Sequence, residues 1–169
     1  MAIFRDPCFI PPCARVRCSM ADTREMRQQE LARLLLQKAR QDLALVMSVA
    51  DSDVVADEIV GFHIQQAIEK TIKAALTRLG SQYEFTHDLS ILYRQAEHSG
   101  LTLPASIDAV EELTVFAVQF RYLLYQEEQG FDRSAGLTLA EKFVEWANSI
   151  IELPARPSPQ PNDDNQPAG

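Results

Sequence analysis

Gly61-Phe62-His63-Ile64-Gln65-Gln66-Ala67-Ile68-Glu69-Lys70-Thr71-Ile72-Lys73-Ala74-Ala75-Leu76 is the stretch that decides the fold of this chain. Read at 3.6 residues per turn, Ile64, Ile68, Ile72, Ala75 and Leu79 fall on one side of a helix. Gln66, Glu69, Lys70 and Lys73 fall together on the opposite side. Further back, Val55, Ile59 and Phe62 line up with that polar stripe. One side is therefore apolar throughout, while the other begins apolar and turns polar halfway. A helix lying on a bundle surface needs only one apolar face. The second face predicts a central helix, covered on two sides, whose far end carries amide, acid and base side chains into a seam. That seam is the candidate functional region.

Working outward, the 169 residues fit one domain with tails, large enough to bury a core. The hydrophobic fraction of 46% and the charged fraction of 24% are those of a globular protein. The formal charge of −8 is concentrated in the middle of the chain, where Ala21–Leu153 holds 12 basic and 21 acidic side chains. Such a surface repels nucleic acid at long range, so an RNA contact would need a local basic cleft. No uninterrupted apolar run approaches the about 20 residues that span a bilayer. The expectation is a cytoplasmic protein with no membrane contact.

The first 21 residues read as a disordered extension. Pro7, Pro11 and Pro12 break any periodicity. Cys8, Cys13 and Cys18 have no distant cysteine to complete a zinc site, so no metal is expected there. The segment also lacks the apolar core of a secretory signal. Met20 followed by Ala-Asp-Thr-Arg-Glu has the form of a start just before a helix.

From Asp22 onward the punctuation is helical. Asp22 and Thr23 are good N-caps for a first helix ending near Val49, with Leu31, Leu34, Leu35, Ala39, Leu43 and Val46 inside. Asp51-Ser52-Asp53 connects and caps the second, which Gly80 stops. Thr86 or His87 opens a short third helix through Ile91, Leu92 and Ala96, ended by Ser99-Gly100. Pro104 sits near the first turn of the fourth, whose stripe is Val110, Leu113, Ala117, Phe120 and Leu124. Gly130–Gly136 reads as a loop. A fifth helix from Thr138 carries Leu139, Phe143, Trp146, Ala147 and Ile150. The Pro-rich stretch 154–169 reads as a disordered tail. No period-2 run marks a strand. The expected fold is all-α, an antiparallel four- to five-helix up-down bundle over residues 22–153.

Phe62, Gln65-Gln66-Ala67-Ile68-Glu69-Lys70, Lys73-Ala74, Tyr83, Thr86-His87-Asp88-Leu89, Leu103-Pro104 and Arg121-Tyr122, in this order and spacing, resemble the HEPN domain (higher eukaryotes and prokaryotes nucleotide-binding). The resemblance covers roughly Leu31 to Tyr125. It implies a helical bundle that forms homodimers, with no cofactor. Many prokaryotic members are encoded beside a minimal nucleotidyltransferase and form toxin–antitoxin pairs with it. Active members are metal-independent endoribonucleases that use an Arg, four to six arbitrary residues and then a His at the dimer seam.

Arg121 matches the family's Arg, but the permitted His positions hold Gln126, Glu127 and Glu128. In-line cleavage by a 2′-hydroxyl needs one group to take that proton and another to protonate the leaving oxygen. An imidazole, with pKa near about 6.5, suits both roles, whereas a solvated Glu near about 4.3 is too weak a base and is rarely protonated. His63, His87 and His98 all lie on other elements. The site residues expected to bind a nucleotide or partner are Gln66, Glu69, Lys70, Lys73, Arg121 and Tyr122, with Arg121 catalytic if any activity survives.

Each has a structural alternative. Arg121 would pair with Glu69 across the seam, the polar cluster would satisfy itself as a network, and Glu69→Lys73 is a favourable helical pair. His87 reads as part of an N-terminal cap, with Asp88 complementing the macrodipole. Tyr122 would stack on a base or pack at the core's rim. Three functions stay open: a dimeric module that binds a nucleotidyltransferase or a nucleotide, a divergent endoribonuclease toxin, and a scaffold for helical assembly.

Overall fold

A computed structural model describes residues 20–119 and 131–152 of the chain, with the side chains described over 23–114 and 131–152. Five helices follow in order: α1 (Met20–Val49), α2 (Asp57–Leu79), α3 (Leu89–His98), α4 (Ile107–Gln119) and α5 (Arg133–Ile151). There is no strand among the described residues. The N-terminal extension with its cysteines, Ala117, Phe120, Leu124, Arg121, Tyr122 and the Pro-rich tail lie outside the described side chains.

The fold is an all-α bundle, and α2 is its centre, packed against each of the other four helices. Its stripe is buried as the periodicity requires, with Ile64, Ile68, Ile72 and Ala75 inaccessible to water. Leu79, one turn further on, lies at the exposed edge. The α1–α2 pair is antiparallel: Gln28 of α1 lies beside Gly80, whereas Asp42 reaches His63 and Lys70. Arg133 and Gly136, at the start of α5, meet Asp57 and Ile64 near the start of α2. Further along, Val144 and Ala147 share a cluster with Ala74. Thus α5 runs in the same direction as α2.

In α1 the buried stripe is Ala32, Leu36, Ala39 and Val46. Leu31 and Leu34, expected inside, are 47% and 50% exposed. The sequence Leu31-Ala-Arg-Leu-Leu-Leu36 offers several apolar registers, and packing selects the one with alanines at the contact, where helices approach most closely. Asp22 and Thr23 lie within the helix, which begins at Met20. Asp53 does not cap α2. The N-cap of α2 is Ala56, with no side-chain bond, and Asp57 and Glu58 supply the acidic first turn.

Arg133 takes over the work that a cap would do in the α1–α2 connection. Its Nε donates to Asp57 Oδ1 at 2.5 Å, and its terminal nitrogens donate to the carbonyls of Ser52 at 2.9 Å, Val55 at 2.6 Å and Ala50 at 3.3 Å. One planar fork thereby satisfies three loop carbonyls.

Gly80 stops α2 as expected, at φ 72°, with its N–H on the Thr77 carbonyl and that of Ser81 on Leu76. Gly136 behaves differently from the loop glycine expected. Asp132 caps α5, accepting from the Ala135 N–H at 2.9 Å, so the helix begins five residues before Thr138 and Gly136 lies inside it. A Cβ at Gly136 would sit 2.7 Å from the Phe131 ring and 2.9 Å from Ile64 Cδ1. This glycine is therefore there for close packing of α5 on α2. Within α5, Phe143 and Ala147 are buried, Leu139, Trp146 and Ile150 are half-buried, and Ile151 fills the core position next to Ile150.

Arg133→Ala should destabilise the protein by about 2–3 kcal/mol in urea unfolding, because three carbonyls and Asp57 lose a charged donor together. Arg133→Lys should recover only part of that loss, since an ammonium cannot span the same acceptors. Equal stability of Arg133→Ala and the parent chain would refute the clamp.

Candidate functional site

The helical repeat carries Gln65, Glu69 and Lys73 along one line of α2, at successive i, i+4 positions, and Gln66 and Lys70 along the next. Both lines emerge between α1 and the loop preceding α3. The Glu69 side chain is only 6% exposed. A carboxylate at such depth must be met by donors, and it is. Lys73 Nζ donates to Oε1 at 2.7 Å, Gln65 Nε2 to Oε2 at 3.0 Å and Gln66 Nε2 to Oε2 at 3.2 Å. His87 Nδ1 lies 3.2 and 3.1 Å from the two oxygens.

The same donors hold the loop. Lys73 Nζ also donates to the Thr86 carbonyl at 2.8 Å, and Gln65 Nε2 to that of His87 at 3.0 Å. Asp88, the residue after His87, caps α3 by accepting from the N–H groups of Ser90 at 2.9 Å and Ile91 at 3.3 Å. Capping, expected at Thr86 or His87, therefore belongs to Asp88. His87 is turned the other way, onto Glu69. A one-residue shift in the cap frees the imidazole for the buried acid.

A second polar group faces α1. Lys70 Nζ donates to Asp42 Oδ2 at 2.5 Å and to Gln66 Oε1 at 3.1 Å, and His63 Nδ1 lies 3.0 Å from Asp42 Oδ1. Gln66 joins the two groups, since its Nε2 also donates to Gln65 Oε1 at 2.8 Å. The structure thus brings Gln66, Glu69, Lys70 and Lys73 into one network, but it does not leave the two lysines side by side as a positive patch. Each is set against its own acid. Arg121 and Tyr122, together with Gln126, Glu127 and Glu128, fall outside the described residues, so their expected place beside Glu69 has no geometry here.

Sequence reading missed Gln65, Asp42, His63 and His87 as members of this network. Gln65 had a signal, its i+4 spacing to Glu69 on the stretch that decides the fold. Asp42 and His87 lie 28 residues from Lys70 and 18 residues from Glu69, and their meeting depends on how the helices pack.

Burial pushes the Glu69 carboxyl up, but the hydrogen bonds from Lys73 and His87, the Lys73 charge and the Gln65 amide outweigh it. The net effect holds the group below its ordinary value of 4.5. A carboxyl with a lowered folded-state pKa stabilises the fold above the unfolded value and loses that contribution as pH falls through the folded one. Glu69→Gln should therefore cost about 2–4 kcal/mol at neutral pH, by leaving the Lys73 ammonium without its acid. It should also remove part of the loss of stability seen below about pH 4.5. Identical acid-unfolding profiles for the two proteins would contradict this account.

Among the described residues, no helix is long and apolar enough to cross a membrane. No group of three or more His, Cys, Asp or Glu is placed there to hold a metal ion. No curated protein and no solved structure matches the chain significantly. The HEPN domain family model matches residues 32–155, which includes the whole network and α5 as well. With that match over most of its length, and a five-helix bundle built around the Gln65–Lys73 stretch, the chain belongs to the HEPN domain family.

Proposed function

We propose that this HEPN protein is a homodimeric binding module that engages a nucleotidyltransferase partner or a nucleotide, in a toxin–antitoxin-like setting, without cleaving RNA. The observation that carries this reading is the set of residues following Arg121. Gln126, Glu127 and Glu128 stand where a proton-transferring imidazole would be needed. An arginine stays protonated at any physiological pH and accepts no proton, but its planar fork suits phosphate or carboxylate. Arg121 is then a binding residue, with Tyr122 beside it.

The network on α2 supports the part of this reading in which RNA is not cleaved. Lys70 and Lys73 each lie against an acid, so their charges are largely spent on the fold. The half-buried line of Phe62, His63, Gln66 and Lys70, with Ile59 exposed at its start, is a surface that a second copy would cover in an isologous contact. The net charge of −8 argues against extended RNA contact. The alternative, a metal-independent endoribonuclease toxin with a divergent site, would have to draw its imidazole from His63, His87 or His98, whose Nδ1 atoms lie on Asp42, Glu69 and the Arg94 carbonyl.

Light scattering should give a dimer mass at micromolar concentration, and a monomer would sink the dimeric part of the proposal. Purified protein should leave RNA intact. Arg121→Ala should weaken binding of the nucleotide or partner about tenfold, the loss of roughly one charge-assisted hydrogen bond, with unchanged helical content. RNA cleavage that disappears in Arg121→Ala would establish the ribonuclease instead. A collapse of the melting temperature in the same variant would return Arg121 to a structural ion pair.

A further inference from the structure

The loop between α2 and α3 carries Phe85, a side chain that the fold has no use for, and His87, whose bond to Glu69 leaves much of its ring in water. Phe85 is 103% exposed, a whole aromatic ring in water. His87, two residues on, is 55% exposed although its Nδ1 is bonded to buried Glu69. The backbone that presents them is tied down on both sides. Tyr83 packs against the core with its hydroxyl 3.4 Å from Thr77 Oγ1. The Glu84 N–H donates to Gln95 Oε1 at 3.2 Å, and the carbonyls of Thr86 and His87 accept from Lys73 and Gln65. A fully exposed ring on a tethered loop is a presented group.

The protonation pattern of His87 follows from its partner. Ionised Glu69 can only accept, so Nδ1 must carry the hydrogen, and in the neutral ring the lone pair lies on Nε2. The loop therefore offers a flat apolar face and, close to it in sequence, an acceptor of settled orientation. The charge beneath is balanced, Glu69 against Lys73 at 2.7 Å, so nothing there selects for phosphate. A protein partner would need of the order of 800 Å² of surface per side for a standard interface, with an apolar core. Around Phe85 the neighbouring Gln82 and Glu84 are exposed and polar. A single ring is, however, enough area to stack one nucleobase.

We propose that Phe85 and His87 recognise the nucleoside part of a purine nucleotide, the base stacking on Phe85 and an O–H or N–H of the nucleoside donating to His87 Nε2. The proposal rests on the nucleotide-binding reading above and adds the end of the ligand remote from phosphate. Glu69 is a positioning residue that acts through His87.

The test is calorimetric titration of the full-length protein with adenosine, guanosine, adenosine 5′-monophosphate and ribose 5-phosphate. At least one purine nucleoside should bind without phosphate, and Phe85→Ala and His87→Phe should each weaken it tenfold or more. Phe85→Trp should keep it. Melting temperature guards against misfolding. As a readout independent of folding, the ¹⁵N signal of His87 Nε2 should shift on adding the nucleoside in the parent chain. If ribose 5-phosphate binds as well as the nucleotide, and Arg121→Ala alone weakens both, the inference falls while the binding function stands. If no purine nucleoside binds, or if Phe85→Ala disrupts only a protein complex, the inference falls as well.

Discussion

A carboxylate inside a helical bundle dictates its surroundings, and Glu69 does so here. It sits on the central helix, almost closed to water, and each oxygen must be met by a donor. The donors come from two directions. Gln65, Gln66 and Lys73 come from its own helix, and His87 from the loop that leads into α3. Because Gln65 and Lys73 also reach the carbonyls of His87 and Thr86, satisfying the acid and placing the loop are one event. The start of α3 is then set by Asp88, and through α3 the chain is led to α4.

That arrangement changes how the charges of α2 should be understood. Four polar residues on one helical face read in sequence as a patch turned toward a ligand. In the folded chain, two of the cations are committed, Lys73 to Glu69 and Lys70 to Asp42. Such pairs add little net stability, because their desolvation offsets much of their attraction. The network is therefore scaffolding that holds other groups in place, with His87 as its most exposed member.

The central helix was legible because its pattern is unusual: apolar on one side throughout, apolar then polar on the other. The existence of five helices was legible from the same kind of periodicity. Details that depend on partners distant in sequence were not. In α1, leucines at 31, 34, 35 and 36 permit several registers, and alanines at 32 and 39 won because they let helices come close. Gly136 looked like a turn residue, though a Cβ there would collide with Ile64 of α2, a contact with no local trace. His87 looked like a cap because Thr86, His87 and Asp88 adjoin, and only the packing of the loop on α2 separates their roles. Arg121 matched its family by position, but position alone supplies no distance to Glu69.

The clamp made by Arg133 also bears on how the chain reaches its fold. Its acceptors lie 76 to 83 residues earlier, in the connection between α1 and α2 and at the first residue of α2. During synthesis that connection emerges long before its guanidinium does. Until α5 arrives, the loop carbonyls that Arg133 meets have only water to donate to them. Contacts of such long range slow folding, since the chain must close a large loop before it gains the bond. The helix α5 is thus also the latch on the α1–α2 connection, and a chain that ends before residue 133 lacks that latch.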